Sequence, residues 1–403
     1  MSDAKVLGFQ VAGVHAGLKA EGALDFALIV SDRPAQVAAV FTTNQVKAAP
    51  VLVDMEKVKQ NVSGMRAVAI NTKCANACTG QQGIDDAHAM ARLAADKLGV
   101  PEDSVLVMST GVIGTQLPMD KIANGTALGA VSLGQDWEAA ARAIMTTDTR
   151  FKYVQNDITL TDGRRVHMAG IAKGAGMIAP NMATMLAVIV TDVSLPQDDM
   201  ERVLKAVNAR TFNAIAVDGD TSTNDTVILL ANGASGVYLN DPEAIYWFDF
   251  WLQRTCQQLA QAIVRDGEGA TKFIEIRVSG THNPADARKI ADTIATSPLV
   301  KTAFYGADAN WGRILAAAGR AGVTLDQSKL SLSIAPLNGD GAPVQLIAHG
   351  EPTGYSEADA SAIMQQTDIR VDLDCGLAES EPVVVWTCDL SHDYVSINGH
   401  YRS

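Results

Sequence analysis

Short apolar runs broken by turn residues open the chain. FALIV at 26–30, QVAAVF at 36–41 and APVLV at 49–53, separated by turn residues at 32–34 and 42–44, predict the strands of a sheet. The pattern then changes period. Over 85–98 the residues Ala87, Met90, Ala91, Ala94 and Leu98 share one face of a helix that follows Gly83 and stops at Gly99 and Pro101. Residues 137–145 read as a second helix. Between the two, SVLVMS at 104–109 is a short strand running into the turn Thr110-Gly111 and then Gly114. The sharpest contrast comes at 173–191, where the glycine-rich KGAGMIAPNMA gives way to TMLAVIVT, an apolar run with the length and content of a buried strand. Helices over 200–211 and 246–265, strands over 226–230 and 273–278, and the loop 266–269 follow. Beyond about residue 281 the pattern gives a helix at 285–294 and short strands separated by turns such as 338–341, which suggests a small C-terminal domain.

Composition narrows the function. The chain has 403 residues, enough for a large core and more than one domain. Its net charge of -13 repels phosphate backbones and anionic lipid over most of the surface, so neither nucleic acid nor membrane is an expected partner. The opening MSDAKVLGFQVAG has no basic segment followed by an apolar run, and no stretch reaches the roughly 20 apolar residues of a membrane span. A cytoplasmic protein is expected. Cys74, Cys78, Cys256, Cys375 and Cys388 are an odd, scattered set that suits reduced thiols better than a disulfide framework. Cys74 and Cys78 lack the second half of a zinc site, so no metal is expected.

Thr184 is the candidate for chemistry, because it stands where the loose loop meets the buried strand. A threonine before an apolar run is by itself an ordinary strand start. Its neighbours argue for more: Pro180, Asn181 and the small Ala183 suit a strained turn in which an internal hydroxyl attacks the preceding carbonyl. Cleavage between Ala183 and Thr184 would free an amine of pKa about 7.7 to 8.0, able to take the hydroxyl proton near neutral pH.

The blocks VFTTNQVKAAPV, ANACTG, STGVIG, MTTDT, GIAKGAGMIAPNMATMLAVI, DGDTSTNDT, RDGEGATK, YGADANWGRI and SINGHYRS, in this order, resemble the ArgJ family, the ornithine (glutamate) N-acetyltransferases. The resemblance runs from about residue 8 to the C-terminus. Two departures are visible: NTKCANA at 71–77 replaces a serine-glycine-asparagine run, and Ala309 replaces a proline. The resemblance implies an α/β fold of mixed sheets, an αββα layered architecture of the self-cleaving N-terminal-nucleophile type shared with DmpA-like proteins. Residues 1–183 would be an α chain and 184–403 a β chain of one intertwined unit, with about 281–403 the smaller C-terminal domain. It implies Thr184 as nucleophile, and Thr110 and Gly111 as oxyanion hole. Thr147, Lys173, Thr184, Glu268, Asn398 and Ser403 would bind substrate, Lys173 meeting negative charge and Glu268 the substrate amine. It further implies N-acetylornithine and glutamate as substrates, no cofactor, acetyl-CoA as a co-substrate in some members, and a heterotetramer of two α and two β chains. Taken alone, Lys173 and Glu268 read as solvated surface groups, and Asn398 and Ser403 as a frayed terminus unless the tail folds back.

Two motifs are set aside. GIAKGAG lacks the spacing of a phosphate loop and precedes a strand instead of a helix. Asp218, Asp220, Asn224 and Asp225 resemble a calcium loop without its closing glutamate, and read better as a turn-rich loop flanking the site. Two rivals to acetyl transfer stay open: a self-processing aminopeptidase or amidase that hands its acyl group to water, and an unprocessed amino-acid-binding protein.

Overall fold

A computed structural model describes residues 5–20, 22–160, 162–179, 185–339 and 341–400. Its first sheet has eight strands and folds back on itself. The hinge is Phe26–Phe41, whose first part pairs with Phe9–Val14 and Met65–Asn71 and whose second part pairs with Thr226–Ala231. The register shifts between Val30 and Ala35, and the exposed Asp32, Arg33 and Pro34 occupy the irregularity. The turn expected at 32–34 is therefore a bulge inside one long strand. A proline there needs no ladder partner, and the bulge supplies the bend.

Bending brings two half-sheets face to face. Ile29, Val68, Ile70, Leu106 and Met108 of the first share a buried core with Ile171, Val188, Val190, Ile228 and Leu230 of the second. Outside the first half lie helices Ala49–Gln60, Gly80–Leu98 and Met119–Val131, whose Val53, Met90, Ala94 and Ile122 pack on Leu28, Ala67 and Val107. Outside the second lie Gln197–Arg210 and Pro242–Arg265, with Leu204, Leu252 and Leu259 in one core with Ala187, Ile189 and Leu229. The result is the αββα layering. Leu186–Thr191 is buried along its whole length because both its faces are covered, which is why it reads as an unbroken apolar run. It pairs with Arg165–Lys173 on one side and Thr226–Ala231 on the other.

A seven-stranded sheet forms a separate core with Pro284–Ala295, Pro298–Tyr305, Trp311–Gly319 and Glu357–Met364. Its strands come from Phe273–Ser279 onward, with Ile215–Ala216 added at one edge.

Two sequence expectations are corrected. APVLV is not a strand but the first turns of helix Ala49–Gln60, where Pro50 needs no amide partner and its fixed φ suits helix entry. The helix expected over 85–98 starts at Gly80 and runs through Gly83, where any Cβ would lie 1.9 Å from Thr79 Oγ1 and 2.5 Å from Asn76 Oδ1.

Candidate active site

Thr110, Gly111, Thr147, Lys173, Glu268 and Asn398, far apart in sequence, line one cleft of about 120 Å3. Ala183, Thr184 and Ser403 lie outside the described residues. The next residue, Met185, is buried and its amide donates to Asp225 Oδ1 at 2.9 Å, while Asn224 beside that aspartate lines the cleft. Burial pushes the Asp225 carboxyl well above the usual carboxylate range.

One corner of the cleft presents donors. Strand Val105–Ser109 delivers the chain into Thr110, whose amide donates to Asn71 O (3.1 Å), while the Val112 amide donates to Lys73 O (3.1 Å). Between these two anchored amides the Gly111 N–H has no partner among the described residues. Gly111 has φ +135°, and a Cβ there would stand 2.2 Å from the Lys73 carbonyl carbon, so the turn requires glycine. Asn224 Nδ2 braces the corner by donating to Ala75 O (2.7 Å) and Ser109 O (2.8 Å), and Ser109 Oγ donates to Asn71 Oδ1 (2.6 Å). The segment 71–77, where the sequence departs from the family pattern, thus forms the cradle of this corner. Its Cys74 thiol, pushed up by burial, donates to Thr115 O.

The floor is charged. Lys173, at the end of Arg165–Lys173, is 3% exposed and its Nζ donates to Thr110 Oγ1 at 3.3 Å. Burial lowers its pKa, against the opposing pull of Asp148. Asp148 Oδ1 accepts from Lys152 Nζ (2.6 Å) and from the Gly174 amide (2.7 Å), and Lys152 also donates to Asp266 Oδ2 (2.7 Å). Asp266 in turn accepts from the Thr149 and Arg150 amides. This buried chain of charges ties together the three loops that carry Thr147, Lys173 and Glu268. Two further contacts place Glu268: its amide donates to Ala175 O (2.8 Å), and its Oε2 accepts from Asn398 Nδ2 (2.8 Å). Gly176 faces that carboxylate so closely that a Cβ would come within 2.3 Å of Oε2. Asn398 belongs to the terminal helix His392–His400, which is held against the 266–269 loop by Ser391 Oγ donating to Gly269 O (2.6 Å).

Asp148, Lys152 and Asp266 were not among the residues expected from sequence, and Asp225 was expected only as part of a loop flanking the site. Lys152 four residues after Asp148 was the one readable signal of the network. The loop of Asp218 to Asp225 is structural: Asp218 accepts from the Met177 and Ile178 amides (2.6 and 2.9 Å). Among the described residues no group of three His, Cys, Asp or Glu is placed to hold a metal, and no helix is long and apolar enough to cross a membrane.

An amide with no partner among the described residues, beside a hydroxyl bound by a buried ammonium, could stabilise the oxyanion through which acyl groups are passed, an arrangement that fits the class of acyl-transfer enzymes. The sequence model of the ArgJ family matches residues 10–403. The chain is 46% identical to the arginine biosynthesis bifunctional protein ArgJ of Geobacter sulfurreducens, over 99% of this chain and 100% of the relative. It is 45% identical to the protein of that name from Thermotoga neapolitana (98% and 99% covered) and 46% identical to the mitochondrial one of Aspergillus terreus (98% and 92%). The chain belongs to the ArgJ family and is an acyltransferase of arginine biosynthesis.

Proposed function

We propose that this chain cuts itself between Ala183 and Thr184 and moves acetyl from N-acetylornithine to glutamate through an acetyl-threonine ester. The observation that carries this reading is that one cleft gathers Thr110, Gly111, Lys173 and Glu268 and is flanked by Asn224-Asp225, whose carboxylate grips the residue after Thr184. The Thr184 hydroxyl, losing its proton to its own amine, attacks the acetyl carbonyl, and the oxyanion is held by Thr110 Oγ–H and Gly111 N–H. The carbon–nitrogen bond breaks, the amine returns the proton to the leaving nitrogen, and ornithine departs. The glutamate amine then attacks the ester by the reverse steps and leaves as N-acetylglutamate.

Lys173 and Glu268 divide the substrate's charges, the ammonium facing carboxylate and the carboxylate facing the ornithine amine. The relatives carry "bifunctional" in their names, and acetyl-CoA as a second donor is the reading of that word this cleft would serve. A cytoplasmic assembly of two α and two β chains completes the proposal.

The mass spectrum of purified protein tests the cut. Scaling 42.5 kDa by length, two pieces of about 19 and 23 kDa are expected, the second beginning with the Thr184 nucleophile. A chain that stays whole while fully active overturns the mechanism. Ornithine release should also require glutamate, because an ester shielded from water waits for an amine; equal release without glutamate indicates an amidase instead.

Charge recognition is tested by Glu268→Gln. The substitution keeps shape and loses charge, and should weaken use of N-acetylornithine by roughly 2 to 5 kcal/mol, the cost of breaking a buried charge pair. An acetylated amino acid with an apolar side chain should lose little. If both donors fall by the same factor, Glu268 does not meet the amine.

A further inference from the structure

The hydrogen bond between Lys173 and Thr110 has a direction that depends on protonation. An ammonium has three donors and no acceptor, so the Thr110 oxygen must accept from Lys173 Nζ and its own proton is left to donate elsewhere. A neutral amine can accept, and would draw that proton toward itself. We propose that Asp148 is a positioning residue for Lys173, whose ammonium turns the Thr110 hydroxyl outward as an oxyanion donor. This rests on the acyl transfer proposed above and assigns Lys173 a task in the transition state besides meeting the substrate carboxylate.

The groups around Lys173 show why Asp148 is needed. Burial disfavours the charged amine, and the neighbouring ammonium groups of Lys152 and Lys19 act in the same direction. Against them stand Asp148, Asp225 and Glu268, of which Asp148 has the largest effect. Asp225 is itself driven toward its neutral form by burial, and Glu268 is engaged by Asn398. Asp148 is fixed on all sides: Oδ1 accepts from Lys152 Nζ and the Gly174 amide, and Oδ2 from the Thr146 amide at 2.9 Å. Burial alone would raise its carboxyl, but Lys173 and Lys152 outweigh burial and hold it well below the usual range. Its ionised form is thereby favoured. The amide next to Lys173, that of Gly174, is bound to the same oxygen, so one carboxylate sets both the place and the charge of the lysine.

The sign follows from the required form. The Lys173 ammonium is fully present below the lysine's pKa, so on the alkaline side of the Thr184 amine's own titration activity is lost as pH rises through the lysine's pKa, which burial has brought below the ordinary value. Removing the Asp148 charge lowers that pKa further. In glutamate-dependent release of ornithine, Asp148→Asn should therefore show a lower kcat and an alkaline limb moved down by a pH unit or more. Asp148→Glu should restore part of the shift. Lys173→Arg, whose guanidinium stays charged, should lose the alkaline limb. A loss of packing would lower activity without moving the limb.

The inference is overturned if Asp148→Asn keeps the wild-type limb, or if Lys173→Arg keeps it. Should Asp148→Asn fail to fold, Asp148→Ser, which also removes the charge, takes its place, and an unmoved limb overturns the inference in the same way. Wild-type protein that releases no ornithine from N-acetylornithine overturns the proposed function instead, so the two failures are told apart.

Discussion

Thr184→Ala should accumulate as one uncut chain and lose turnover by a factor on the order of 10^6, the scale seen when a covalent nucleophile is removed. Both losses have one origin. In the proposed mechanism the hydroxyl that opens the peptide after Ala183 is also the one that takes the acetyl group, and the amine that acts as its base exists only once the peptide is open. Alanine removes the first and prevents the second. Thr184→Ser keeps a hydroxyl and should retain some cutting, because serine is displaced only by the missing methyl. Intact mass and a steady-state assay on the two variants are sufficient. Equal cutting of the alanine form would mean that another protease makes the break, and undiminished turnover would remove Thr184 from the mechanism.

The second large effect is expected at Thr110→Ala. The hydroxyl and the Gly111 amide form a corner braced from behind by Asn71, Lys73 and Asn224, so the proposed oxyanion donors would be in place before substrate arrives. Such donors act chiefly when charge develops on the oxygen. Losing one is expected to cost about 2.7 to 4 kcal/mol in the barrier, a drop in kcat of roughly 10^2 to 10^3. KM should change much less. A variant with normal kcat and only a raised KM would place Thr110 in ground-state binding.

The parts of this fold visible in sequence are those in which local pattern and tertiary surroundings agree. Leu186–Thr191 is apolar throughout and is covered on both faces, and Pro242–Arg265 places an apolar stripe against the same half-sheet. The misread parts are those in which one signal supports two structures. APVLV has the content of a strand, yet Pro50 opens a helix there; 32–34 has the content of a turn, yet the chain bulges and continues. Met119–Val131, rich in small residues, shows little amphipathic pattern because Gly125 and Gly129 pack directly on Phe26 and Leu28. The site divides in the same way. Motif blocks pointed to Thr110, Lys173, Glu268 and Asn398, and the cleft contains them. Asp225 was legible only as part of a loop flanking the site, and Asp148 and Asp266 could not be found by pattern, since a carboxylate gains its meaning from partners that lie up to 117 residues away, as in the bond from Thr149 to Asp266.

The hairpin of Arg165–Lys173 and Leu186–Thr191 pairs Lys173 directly with Leu186, so the bond proposed to break lies in the connection between two neighbouring strands. Phe26–Phe41 and Thr226–Ala231 are joined in the same sheet. Each fragment of the proposed cut would therefore contain only some strands of the eight, and their edges would be one another's complements. The order of events is thereby constrained. A β fragment translated by itself, with threonine already at its start, would expose unpaired strand edges and the apolar residues of Leu186–Thr191. A single precursor keeps the partners tethered at high local concentration until the sheet has closed. The loss of one covalent bond then costs little, because the ladder that replaces it is already complete. The proposed scission would then be a maturation step that the architecture can absorb, and its fragments one folding unit with an internal terminus instead of two subunits that meet.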